Sequence, residues 1–169
     1  MGVVLVNNLI SKILGIFRDQ YGGSWVNKVL WIIRRVLFFM RSWFFDLEYI
    51  SVDKGVLDEF LEYWRKEILP KLHAVPEVFD CDDFARYFVF KLREYVKEKY
   101  GVDYNGNGEA IGNVYSGGSL LGGHAWVIAL VDTVDEVGKV VFVEPQLGEY
   151  LVNMESSDGW KYELQAVII

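Results

Sequence analysis

The chain has one cysteine and two histidines in 169 residues. Cys81 stands in Phe79-Asp80-Cys81-Asp82-Asp83-Phe84-Ala85, His124 in Gly122-Gly123-His124-Ala125-Trp126, and Glu144 in Val143-Glu144-Pro145-Gln146. A thiol, an imidazole and a carboxylate are the components of a nucleophile relay. The imidazole takes the thiol proton, and the carboxylate fixes the ring and stabilises its charge. Cys81 falls in the first turn after Asp80, where a helix N-terminus favours thiolate. Asp82 and Asp83 work against this, so their charge must point away, bind amides or meet a cation.

These residues need a helix and two paired strands to hold them. Asp80 and Asp83 have capping-box spacing, and Gly101 suits a C-cap, so a helix is expected from Asp80 to about Lys99. His124–Val131 and Lys139–Val143 read as strands around an acidic turn near Asp135. In that register opposite residues sum to about 268–270, which puts His124 across from Glu144 or Gln146. All three numbers are even, so the side chains share a sheet face. Glu144 is expected to accept from Nδ1 of His124, with Gln146 as a neutral alternative. Asp132 shares the parity but lies roughly 26 Å along the strand.

Upstream, residues 3–20 read as an apolar helix. Residues 25–45 read as a helix with one polar stripe, suited to packing or to an anionic membrane surface. Residues 53–69 read as an amphipathic helix capped by Asp53 and stopped by Pro70. The glycine-dense stretch 103–123 reads as a loop of mobile or closely approached backbone. Helices followed by an antiparallel sheet give an α+β class in a single domain, residues 1–169, with a helical N-terminal segment (residues 1–75) and a core (residues 78–169).

The chain is 52% hydrophobic with net charge −7. Residues 1–45 hold six Lys/Arg and one Asp, whereas 46–169 hold eleven Lys/Arg and twenty-three Asp/Glu. The acidic body argues against nucleic acid as a partner. One cysteine excludes an internal disulfide. No signal peptide is read, and no charge-free apolar run reaches about 18 residues, so a cytoplasmic or virion-associated protein without a membrane span is expected. Scarce Gln and plentiful Lys and Glu lean towards a thermophile.

Asp80-Cys81-Asp82-Asp83-Phe84-Ala85, Gly123-His124-Ala125-Trp126 and Glu144-Pro145-Gln146 together resemble the papain-like cysteine protease domain of certain fungal galactose-binding agglutinins, and related phage and viral proteins. More remotely they are similar to the transglutaminase-like superfamily. The match spans roughly residues 78–150. It implies a papain-like fold, with the cysteine-bearing helix on a small antiparallel sheet. It implies a thiol hydrolase cleaving a peptide or isopeptide amide, or transferring its acyl group, with Cys81 as nucleophile, His124 as base and acid, and Glu144 as orienter. Trp126, Gln146 and Gly123 become candidate substrate-binding residues. Calcium is the one cofactor the resemblance admits, with the acidic residues beside Cys81 as its candidate ligands; no other metal is expected. The backbone amide of Cys81 would give one oxyanion donor, with His73 a guess for the second. Positions 74–79 hold no glutamine, which favours an alternative: an inactive papain-like scaffold serving assembly, for example of a virus particle or a homo-oligomer.

Overall fold

The computed structural model describes residues 1–21, 38, 42–74 and 79–169. The expected helix over 25–45, and with it the membrane contact, lies almost wholly outside the described residues. Among those residues, no helix is long and apolar enough to cross a membrane.

Strand β1 (Val3–Leu5) precedes helix α1 (Val6–Tyr21). The expected helix over 3–20 therefore starts late, because Val3-Val4-Leu5 pairs antiparallel with β2 (Glu48–Ile50). Next come β3 (Val52–Asp53) and α2 (Lys54–Tyr63), where the Asp53 carboxylate accepts from the Gly55 amide at 2.7 Å. The helix does not run evenly to residue 69. It widens into a π turn at Trp64–Ile68 and tightens to a 3-10 turn at Leu69–Lys71, with Pro70 inside it. Helix α3 (Cys81–Tyr100) starts on the Asp80/Asp83 capping box and ends at Gly101 in the left-handed conformation.

The sheet is larger than the sequence suggested. Strands β4 (Asn107–Ser116), β5 (Ser119–Asp132), β6 (Lys139–Glu144), β7 (Glu149–Tyr150) and β8 (Lys161–Ile168) lie in the order β7-β6-β5-β4-β8, and β3 adds to β5 in parallel. The expected small sheet is thus a six-stranded one that dominates the described structure. Stretch 103–123 is mostly the β4–β5 hairpin rather than a loop. Its glycines serve close backbone approach: a Cβ on Gly106, Gly108 or Gly112 would collide with the carbonyl of Ile50, Ile168 or Glu163 respectively. Val127 pairs with Val143 and Val131 with Lys139, so the β5–β6 register sums to 270, within the expected range.

Alternation along β5 feeds two cores. Ala125, Val127, Ala129 and Val131 pack with Leu57, Phe60 and Trp64 and with Phe84, Phe88 and Leu92 of α3. Trp126, Ile128 and Leu130 pack with Leu9 and Ile13 of α1 and with Tyr162 and Leu164 of β8. Each fully buried large side chain contributes roughly 1.5–3 kcal/mol of transfer free energy, so both layers are needed to hold the sheet.

Candidate functional site

Cys81 belongs to the core under α3, and Trp126 and Tyr162 to the core on the other side. The site forms where these cores meet. His124 Nε2 lies 2.8 Å from Glu144 Oε2. The nitrogen that meets Glu144 is therefore Nε2, not the expected Nδ1, which leaves Nδ1 for the thiol. Burial alone would pull the imidazole pKa down. The influence of Cys81 and of the Glu144 hydrogen bond and charge outweighs burial and raises it to about 9.

Glu144 is 2% exposed, so its carboxyl oxygens need hydrogen-bond donors. Oε2 takes His124 Nε2 and the Tyr162 hydroxyl, at 3.0 Å, and Oε1 takes the Gln146 backbone amide at 3.0 Å. The next carbonyl, of Pro145, accepts from Trp64 Nε1 at 2.8 Å, and Arg65 reaches the Gly148 carbonyl at 2.8 Å. The π turn that carries Trp64 and Arg65 thus fixes the turn after Glu144. π bulges of this kind recur at functional sites.

At Cys81 the neighbouring acids are partly occupied, and the buried Oδ1 of Asp80 has no hydrogen-bond partner. Asp83 accepts from the Asp80 amide at 3.4 Å. Asp82 lies 2.6 Å from the Arg86 guanidinium, which also reaches Asp83 at 3.8 Å and Glu109 at 3.1 Å. A hydrogen bond with Asp82 pushes the Asp80 carboxyl above its ordinary value and pulls Asp82 below. Asp80, Cys81 and Asp82 bring donor atoms within 4.8 Å of one another, the only such cluster among the described residues.

The other candidates fall in different places. Trp126 is fully buried, with its ring near the His124 ring at 6.3 Å, so it lies within the core and not on a surface. Gly123 is exposed and pairs with Asn113. Gln146 enters through its backbone amide. Asp132 takes the chain N-terminus at 3.3 Å and Ser51, far from His124. His73 is exposed, and 75–78, just before the site, lie outside the described residues. Sequence reading missed Tyr162, Trp64 and Arg86 as members of this site. Arg86 alone had a local signal, standing four residues after Asp82 on one helix.

No family model matches the chain, and no curated protein does. Solved structures do. One, a PSL1a-E64 complex, covers 99% of this chain and 50% of its own at 19% identity with a TM-score of 0.59. Another, a Polyporus squamosus lectin bound to the human-type influenza-binding epitope Neu5Aca2-6Galb1-4GlcNAc, covers 76% of this chain and 42% of its own at 24% identity with a TM-score of 0.53. The chain spans about half the length of these structures or less. Identity at this level establishes a shared fold. The matches are lectin structures and the six-stranded sheet is large, which corrects the assignment to the papain-like protease domain and its fold class. The hydrolase and cysteine-protease reading falls with that assignment, as does the alternative of an inactive papain-like scaffold in a virus particle. The chain shares its fold with about half or less of each of these solved chains.

Proposed function

We propose that Cys81 is an activated thiol, held by His124 and oriented through Glu144, that bonds to an electrophilic carbon of a ligand. The observation that carries this is the position of His124, 2.8 Å from the buried Glu144 carboxylate and near enough to the only cysteine for Cys81 to help raise the imidazole pKa. The sulfur lone pair forms the S–C bond. The imidazolium gives its proton to the atom that receives the displaced electron pair. The α3 N-terminus, where first-turn amides lack helical partners, favours the thiolate. The test is alkylation of the single thiol by iodoacetamide across pH, with and without calcium. Rapid reaction below pH 7 that His124→Ala abolishes is expected. A thiol that reacts at an ordinary rate, unchanged by His124→Ala, overturns the proposal.

A second reading concerns the partner. One of the matched structures is a lectin bound to a sialylated glycan, which supports a carbohydrate as the proposed ligand class in place of the peptide substrate expected from the sequence. The same trisaccharide is the natural probe. Titration with it, followed by amide NMR shifts, is expected to perturb a contiguous surface. Shifts that stay fixed at millimolar glycan would remove carbohydrate from the reading.

A further inference from the structure

Tyr162 stands on β8 opposite Val114 and is 3% exposed. Its ring meets Trp126 edge-on at 5.2 Å and lies 5.8 Å from the His124 ring. Its hydroxyl donates to Glu144 Oε2 at 3.0 Å, the same oxygen that faces His124 Nε2 at 2.8 Å. Burial, and then the charge of Glu144, push the phenol pKa upward, so the O–H remains a donor at any working pH. An ionised carboxylate this deeply buried is tolerated only when its oxygens are satisfied. Without the phenol, Oε2 would have the imidazole as its sole side-chain donor among the described residues. The phenol also sets the direction from which the imidazole must approach, because both donors share one oxygen.

We infer that Tyr162 is a positioning residue of the thiol centre: it clamps Glu144, and through Glu144 sets the ring of His124 towards Cys81. This rests on the reading of Cys81 as an activated thiol. Tyr162 acts through the carboxylate. It is also the element by which β8, the strand at the far side of β4, joins a site otherwise built from α3, β5, β6 and the π turn at Trp64–Ile68.

The experiment compares wild type, Tyr162→Phe, Glu144→Gln and the double variant. Tyr162→Phe keeps the ring and removes only the donor. Alkylation of Cys81 at pH 6.5 is expected to slow about tenfold, the size expected from losing one hydrogen bond to a charged group. In the Glu144→Gln background the same change should have little further effect. Proton NMR supplies an independent readout: the His124 Nε2–H resonance should move in Tyr162→Phe, and in wild type a slowly exchanging Tyr162 hydroxyl should show contacts to the His124 ring. A Tyr162→Phe protein with wild-type alkylation and an unmoved His124 resonance overturns the inference, as does a full, additive effect in the Glu144→Gln background. If Tyr162→Phe does not fold, the wild-type hydroxyl resonance decides: absence of a protected hydroxyl near His124 overturns the inference. If wild-type Cys81 proves unreactive, the thiol reading fails, while the His124 and Tyr162 resonances still decide whether the clamp exists.

Discussion

Two clusters of charge meet at this site, and they are stabilised in opposite ways. Around Cys81, Asp80, Asp82, Asp83 and Arg86 are partly exposed, and they share charge through a guanidinium and a capping box. Around His124, Glu144 and Tyr162 are buried, and each polar contact has a defined geometric partner. Water and salt can compensate for a lost partner in the first cluster. In the second nothing can, because an unpaired buried group keeps its full desolvation cost. The acids beside Cys81 can thus adjust to their surroundings, whereas the His124–Glu144–Tyr162 cluster cannot.

The sharpest way to break this contrast is Glu144→Ala. It strips the partner from His124, Tyr162 and the Gln146 amide at once and should cost about 3 kcal/mol in chemical denaturation, the scale for breaking a buried pair. A loss below about 1 kcal/mol would mean that water enters and the cluster is not rigid. A smaller effect should appear in the pH dependence of stability. The folded pKa of His124, about 9, lies above the ordinary value of 6.5. Its contribution is therefore complete below about pH 6.5, where the ring is protonated in both states, and fades as pH rises towards 9. Denaturation between pH 6 and pH 10 should show this decline in wild type and a flatter profile in His124→Ala. The smallest effect belongs to the exposed cluster. Arg86→Ala should cost about 0.5 kcal/mol, less in high salt, since exposed ion pairs are weak and screened. A large, salt-independent loss would show that Arg86 is as rigidly committed as Glu144.

The site is more legible in the sequence than the frame around it. Cys81, His124 and Glu144 stand out because helix capping and strand parity are local rules that tertiary contacts here do not override. The choice of Nε2 over Nδ1 is not readable, since ring orientation depends on Tyr162 and Trp160, which arrive from distant segments. The β4–β5 hairpin reads as a loop because glycine lowers strand propensity. Only the approach of Ile50, Ile168 and Glu163 explains why glycine is required there. The resemblance carried by three short motifs extends to a fold and an activity that the structural matches correct, because motifs of three to six residues carry local chemistry and say little about a sheet of six strands.

The close backbone approach at Gly106, Gly108 and Gly112 has a consequence for anyone who would engineer this molecule. The obstructing atoms are carbonyl oxygens of neighbouring segments, so no rotamer change elsewhere can relieve a clash. In a saturation library scored for folded protein, these three positions should accept almost nothing but glycine. Gly101, Gly117 and Gly159, where an added Cβ meets open space, should be penalised only for their positive φ and should retain asparagine and aspartate among the survivors.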